Sequence, residues 1–381
     1  MSRDFLRQMP GAEDYLRGGN SWLFKLHLDP VMAFLLLLLC VVGLTVLYSA
    51  SGHNLAYVEG QALRMALAWG VLFVFAQLDP TVYQRWTPWL FGLGVLALVG
   101  VELFGVGAKG AVRWLQLPGL PRFQPSEFMK LMMPMMIAWY LSSRYLPPNL
   151  KAIFVSLLLI FIPVVLIIKQ PDLGTAILIA AAGVFVLLFS GISWKLVGGF
   201  AALLAAGAPL MWMFVMHDYQ RQRVLTFLDP ESDPLGTGWN IIQSKTAIGS
   251  GGLFGKGWMS GTQSQLDFLP EGHTDFIIAV LAEEFGFRGV VALLALYTLI
   301  VMRGFYISAN AQDSFSRLLG GALTMTFFVY VFVNMGMVSG ILPVVGVPLP
   351  LVSYGGTSIV TLMAAFGVLM SIHTHRKILS K

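Results

Sequence analysis

The sequence predicts an all-α polytopic membrane protein, with ten transmembrane helices and a long extracytoplasmic loop between helices seven and eight. Three observations carry that expectation. Of 381 residues, 57% are hydrophobic and only 11% charged, against roughly 25% charged in soluble domains. The apolar residues fall into ten runs that, with their flanks, approach the about 20 residues needed to cross a bilayer. One gap between runs, from His217 to Asp275, is far longer than the rest.

In order, the predicted spans are Val31–Ser49, Ala62–Ala76, Trp89–Phe104, Phe128–Leu141, Ala152–Ile168, Thr175–Phe189, Leu196–Met216, Gly289–Met302, Leu318–Ile341 and Ser358–Ile372. Several are short and must borrow flanking residues. The eighth is expected to begin within Phe276–Ala282 and to tolerate Glu283, Glu284 and Arg288 near one end. Short cytoplasmic loops are enriched in Lys and Arg. An inward N-terminus places Arg3, Arg7, Arg17, Lys25, Arg85, Arg144, Lys151, Lys195, Arg303, Arg317, Arg376, Lys377 and Lys381 inside, thirteen of the 24 basic residues. Both termini are therefore expected in the cytoplasm: a tail over 1–29, a tail over 373–381, and residues 217–275 on the outer side of a single domain.

Several function classes drop out. The lone Cys40 sits in an apolar run and reads as a small buried hydrophobe, so no internal disulfide forms. No cleavable leader follows from the polar first 29 residues. No His/Cys/Asp cluster has transition-metal spacing. The run Gly249-Ser250-Gly251-Gly252-Leu253-Phe254-Gly255-Lys256-Gly257 lacks the Gly-Lys-Ser/Thr ending and strand–helix context of a nucleotide phosphate loop. Trp239 and Trp258 flank it as interfacial anchors. Nothing suggests a nucleic-acid partner; membrane lipids are the surroundings.

The remaining cations gather where the positive-inside tendency disfavours them: Arg64, Lys109, Arg113, Arg122, Lys130, Lys169, Arg221, Arg223, Lys245 and Lys256. Singly, each reads as snorkelling or headgroup pairing; as a group they suggest an anionic ligand such as a phosphate or pyrophosphate. Three motifs lie among them. In Arg113-Trp114-Leu115 and Arg122-Phe123-Gln124-Pro125-Ser126-Glu127-Phe128-Met129-Lys130, Pro125 marks a helix start. Glu127 and Lys130, three residues apart, share a helical face, as a ligand site or as a structural ion pair. Lys169-Gln170-Pro171-Asp172-Leu173-Gly174-Thr175 breaks an apolar run, with Asp172 placed to cap the next helix. Gly346-Val347-Pro348-Leu349-Pro350-Leu351-Val352-Ser353-Tyr354-Gly355-Gly356-Thr357-Ser358 puts irregular backbone and the Ser353, Thr357 and Ser358 hydroxyls at membrane depth, which is tolerated only inside protein or along a wet cavity. Asp275 follows His273-Thr274 where the loop re-enters the membrane. It is a candidate general base, with helix capping as its plainer role; His273 is a candidate second base or ligand.

Together these residues resemble the SEDS family (shape, elongation, division and sporulation), most closely its RodA branch. The resemblance covers essentially the whole chain. It is strongest at Phe123–Glu127, Lys169–Thr175, Gly249–Gly252, Phe268–Phe276 and Gly346–Gly356; Gly272 departs from the usual pattern but leaves His273 and Asp275 in place. The resemblance implies a peptidoglycan glycosyltransferase of the bacterial inner membrane that polymerises lipid II. It further implies a single-pass class B penicillin-binding protein and other elongation-complex membrane proteins as partners. It implies Asp275 as the catalytic base, Glu127 and Lys130 in the same central cavity, and Trp114 at a position whose loss impairs function. Arg113, Arg122, Lys130 and Lys169 would meet the pyrophosphate, with Asp172, His273 and Ser353 nearby. A divalent cation, magnesium or manganese, is able to share that load. A lipid II flippase and a non-catalytic scaffold are the competing readings.

Overall fold

The computed structural model describes residues 26–108, 111–116, 122–216, 218–229, 237–265 and 272–375. Most of both expected tails, with Lys109, Glu231, Asp233, Asp267 and the stretch 266–271, lies outside the described residues. The helices are α1 (Pro30–Ala50), α2 (Leu55–Gln77), α3 (Pro80–Phe104), α4 (Pro125–Ser142), α5 (Leu150–Lys169), α6 (Leu173–Phe189), α7 (Trp194–Leu210, continued by a π turn over Met211–Val215), α8 (Asp218–Leu228), α9 (Thr237–Gly251), α10 (Thr262–Gln265), α11 (Ile277–Ala309), α12 (Ser314–Val338) and α13 (Thr357–Thr374). Every predicted span overlaps one of them. Among the described residues, seven helices are long and apolar enough to cross a membrane: α1, α2, α3, α5, α11, α12 and α13.

Polarity is distributed as lipid demands. Phe34, Leu63, Trp89, Phe104 and Phe154 point outward and are exposed, while Glu127, Lys130, Asp172, Glu283, Glu284 and Asn334 are buried. Intramembrane ionisable groups face the interior because hydrocarbon cannot solvate them. α4 is buried on nearly every face and packs against α3, α6 and α12; α2 packs along α13, and α11 against α1 and α12. At the other end of α1, Asp29 caps the helix through the Met32 amide and receives a two-pronged bond from Arg303, at 2.9 and 2.6 Å.

Three expectations need correction. Spans two and three start earlier than their apolar runs, at Leu55 and Pro80, where Asn54 and Asp79 cap α2 and α3; the eighth starts at Ile277, inside its expected window, and α11 continues through its two glutamates for 33 residues. At 1.5 Å per residue it is about 50 Å long, well beyond a roughly 30 Å hydrocarbon core. The fold also contains a small antiparallel hairpin, β1 (Val106–Ala108) and β2 (Ala111–Trp114), extended by a bridge between Leu115 and Phe123. Finally, the 217–275 segment is not a plain loop, since it carries α8, α9 and α10.

The glycine-rich run within that segment is a backbone crossing. α9 lies against α11 so closely that a Cβ on Gly251 would sit 2.0 Å from the Ala282 carbonyl oxygen, and one on Gly255 2.1 Å from that of Glu284. α11 breaks its helical geometry at Gly286, with φ 66°, and the freed backbone groups are met from the run: Lys256 N–H donates to Glu283 O at 3.0 Å, Gly257 N–H to Glu284 O at 2.9 Å, and Phe287 N–H to Gly252 O at 2.9 Å. The Glu283 side chain is fully buried. Its Oε1 accepts from Lys256 Nζ at 2.7 Å, Thr262 N–H at 2.8 Å, Gln263 N–H at 3.0 Å and Thr262 Oγ1 at 3.1 Å.

This carboxylate latches residues 256–263 onto α11. Breaking a buried charged pair from one side costs about 3–5 kcal/mol. Glu283→Ala is expected to lower the thermal midpoint sharply and open the 252–263 stretch to limited proteolysis. Lys256→Met, which leaves two backbone amides on the carboxylate, should fall between it and the native protein. Native-like melting and protease resistance in both variants would sink the latch.

Candidate functional site

A cavity of about 210 Å³ opens where α4, α6, α12 and the start of α13 meet β2 and the 346–358 segment. Pro125 fixes the first turn of α4, and Gln124 is its N-cap. From there, three residues of helical spacing bring Lys130 Nζ within 2.5 Å of Glu127 Oε1. The ammonium also lies 5.1 Å from the centre of the Tyr330 ring, and Glu127 Oε2 accepts from Thr361 Oγ1 at 3.2 Å. Both residues are at most 9% exposed, so the pair is held in a medium that strengthens it.

A second pair lines the same cavity. Asp172 caps α6 through the Thr175 amide. Its other oxygen accepts from Gln124 Nε2 at 3.1 Å and stands 3.7 Å from Arg113 Nε. Arg113 also donates to the Pro171 carbonyl. The capping role and the cavity role of Asp172 therefore coexist. Trp114, beside Arg113 on β2, lines the same cavity.

Asp275 reaches this space from α11. That helix begins at Ile277, and its N-cap residue, Phe276, makes no side-chain cap bond. Gly346, at φ 75° and on the cavity wall, lies next to the carboxylate; a Cβ there would stand 3.6 Å from Asp275 Oδ2. The acid loop is pinned from below. Asn334, fully buried on α12, donates to Asp275 O at 2.8 Å and to Val347 O at 2.7 Å. Ser353 Oγ donates to Thr274 O at 2.5 Å while accepting from Leu349 N–H at 2.8 Å. Tyr354 N–H donates to His273 O at 3.0 Å.

The structure thus joins Glu127, Lys130, Arg113, Trp114 and Asp172 around one cavity, with Asp275 against its wall. It separates the others. Arg122 is exposed and bonds Gln116; Lys169 is exposed and pairs with Glu102 at 3.5 Å; neither lines the cavity. His273 packs edge-on against Tyr57 and Tyr354, with ring centres 5.3 and 6.1 Å away. Ser353 is a structural bridge between two loops. Sequence reasoning missed Tyr330, Gln124 and Asn334. The available signal for Asn334 was a lone amide in an apolar run, which in a membrane interior needs partners. Among the described residues, no three His, Cys, Asp or Glu side chains gather to hold a metal. Glu127 and Asp172 each already stand beside a cation, so among the described residues these two carboxylates do not by themselves fit a resident divalent ion.

The FtsW–RodA–SpoVE family profile, described as a cell cycle protein, matches residues 30–378. The peptidoglycan glycosyltransferase MrdB of Escherichia coli K12 is 57% identical over 357 residues, covering 94% of this chain and 96% of that protein. A probable peptidoglycan glycosyltransferase FtsW of Trichlorobacter lovleyi is 36% identical over 373 residues, covering 92% and 94%. Among solved structures, a chain from a peptidoglycan synthase complex that coordinates polymerization and crosslinking superposes with TM-score 0.78 at 31% identity, over 91% of this chain and 97% of that one. The rod shape determining protein RodA of Thermus thermophilus gives 0.69 at 28%, over 92% and 98%. With its apolar helices and this match across nearly its full length, the chain belongs to the FtsW–RodA–SpoVE family and is a multi-pass membrane protein.

Proposed function

We propose that the chain is a peptidoglycan glycosyltransferase that polymerises lipid II into glycan strands for cell elongation, releasing undecaprenyl pyrophosphate. The observation that carries this reading is the meeting of the Asp275 carboxylate, through Gly346, with a cavity walled by one buried ion pair, Glu127–Lys130, and one partly exposed pair, Asp172–Arg113. The name and the 57% identity of the Escherichia coli relative support it. In this reading the chain crosses the bacterial inner membrane ten times as one domain with both termini in the cytoplasm, so the cavity faces outward. A single-pass class B penicillin-binding protein cross-links the product, in keeping with the synthase complex to which the fold is similar.

The chemistry is a glycosyl transfer. The acceptor 4-hydroxyl oxygen bonds to the anomeric carbon of the donor as the bond from that carbon to the diphosphate oxygen breaks. The hydroxyl proton passes to Asp275, and the bonding pair leaves with the diphosphate. A positioned base contributes roughly 10²–10⁴-fold to such a step. Lys130 and Arg113, oriented beforehand by Glu127 and Asp172, stabilise charge developing on the leaving group without reorganising. No step is routed through a metal; a divalent cation, if used, would be held chiefly by the diphosphate it accompanies.

Three outcomes are expected from purified protein with its partner, labelled lipid II, and penicillin to silence cross-linking. Asp275→Ala should lose polymer by at least about 100-fold while still binding lipid II; wild-type polymer from that variant removes Asp275 from the chemistry. Movement of lipid II across liposomes by a native protein that makes no polymer would favour the flippase. Lys130→Met should leave Glu127 buried and unpaired, lowering both the melting temperature and turnover. The double change Lys130→Met with Glu127→Leu should recover stability but not turnover, and recovery of both would make the pair purely structural. Asn334→Leu, of similar volume, removes both donors that tie the acid loop to the 346–350 segment. It should cut kcat at least tenfold with lipid II affinity little changed; unchanged kcat would show that Asp275 is placed by other contacts.

A further inference from the structure

The two cations already placed at the cavity are each matched by a carboxylate: Lys130 by Glu127 at 2.5 Å and Arg113 by Asp172 at 3.7 Å. Each pair is neutral, so together they offer an incoming diphosphate oriented donors but no net positive charge. A substrate that carries its charge on a diphosphate needs more than that. Among the described residues, one further cation adjoins the same rim and has no carboxylate partner.

That cation is Arg64, half-buried on the third turn of α2. Its guanidinium carbon lies 4.5 Å from the centre of the Tyr354 ring. Its Nη1 is shielded from solvent and makes no hydrogen bond. Its Cδ and Nε stand 3.6 and 3.7 Å from where a Cβ on Gly356 would be, and Gly355 and Gly356 line the cavity. The placement is enforced by Gln61, three residues earlier and on the same helical face. Gln61 is fully buried; it donates to Ser353 O at 3.0 Å and accepts from Gly355 N–H at 3.3 Å. Tyr354, on which Arg64 stacks, is itself bonded through its amide to His273 O in the acid loop. Arg64 thus touches the structure that holds Asp275 and the rim that admits a ligand.

A guanidinium withdrawn from water without a counter-charge is unfavourable, and an ionisable side chain turned toward a membrane protein's interior marks a ligand path by default. Stacking on an aromatic face leaves the edge of the guanidinium fork free, and that fork matches two phosphate oxygens at once. We propose that Arg64, supported by Tyr354, binds the diphosphate of the lipid-linked substrate at the Gly355–Gly356 rim and supplies the net positive charge that the two neutral pairs lack. This rests on the polymerase reading of the site. The same chemistry would suit the phosphate of a membrane phospholipid, so the test must separate the two.

The test uses the full chain with its partner in nanodiscs of phosphatidylcholine alone and of phosphatidylcholine with phosphatidylglycerol. Lipid II binding, and its competition by inorganic pyrophosphate, are measured in the Asp275→Ala background, where turnover does not intervene. Adding Arg64→Met is expected to weaken lipid II binding about tenfold or more in both bilayers and to abolish competition by pyrophosphate. Arg64→Lys, which keeps the charge but not the fork, should fall between. In the otherwise native chain, Arg64→Met should raise the KM for lipid II by the same factor. Unchanged affinity in Arg64→Met, or a loss of melting temperature with pyrophosphate competition intact in Arg64→Met, overturns the proposal. A loss confined to the phosphatidylglycerol bilayer assigns the guanidinium to a headgroup and overturns it equally. Failure of the polymerase reading appears separately, as polymer made by Asp275→Ala.

Discussion

One amide group holds the functional end of this molecule together. Asn334 spends both side-chain N–H donors on carbonyls from two irregular segments, Asp275 in the acid loop and Val347 in the proline-rich segment. Inside a membrane, backbone outside a helix must find its hydrogen bonds within the protein. Two neighbouring loops that lack regular structure therefore need side chains from a rigid element to satisfy them, and α12 provides one at the point where they meet. Ser353 and Gln61 extend the arrangement, bonding Thr274, Leu349 and the 353–355 turn. The cavity wall and the acid are thus set by the same helix, so neither moves independently of the other.

The upper part of α11 is built by a related constraint. Residues from Ile277 to Glu284 are buried throughout, although the helix there is longer than the hydrocarbon needs. They are covered by α9 and the glycine-rich crossing, whose close backbone approach requires glycines at 251, 255 and 286. That covering fixes the described part of the long polar interruption against α11. Asp275 stands two residues ahead of this half-helix, so the latch at Glu283 and the tie at Asn334 fix the acid from both sides.

Much of this was legible because it rests on short-range rules. Helical spacing alone brought Glu127 to Lys130, and a proline–aspartate break located the cap at Asp172. The end of the long polar segment marked Asp275. What was not legible depends on contacts between distant segments. Arg122, Lys169 and Arg113 look alike as outward cations in a linear reading. Only the fold turns Arg113 inward and sends Lys169 to Glu102. His273 carries a chemically versatile ring, yet the tyrosines that enclose it come from α2 and the 354 turn. The hairpin ahead of α4 is too short for alternation to announce it. The run at Gly249–Gly257, whose sequence already excluded a nucleotide phosphate loop, uses its glycines for the same physical end, a close approach of backbone.

The pairing of charges also explains how a cavity with several ionisable groups can sit inside a bilayer-embedded bundle. Lys130 enters buried beside Glu127, and the partly exposed Arg113 stands by Asp172, so neither cation is left isolated and the carboxylate fixes the direction of each donor. A fixed donor needs no reorganisation when a leaving group acquires charge. The same neutrality limits what the pairs can attract at a distance, since a close ion pair acts outward only as a dipole. On the proposed reading, recognition and stabilisation fall to different groups: the guanidinium at the rim would draw the diphosphate in, and the paired cations would act on it at short range. This division places the uncompensated charge where partial contact with water limits its penalty, and keeps the buried part of the cavity neutral until substrate arrives.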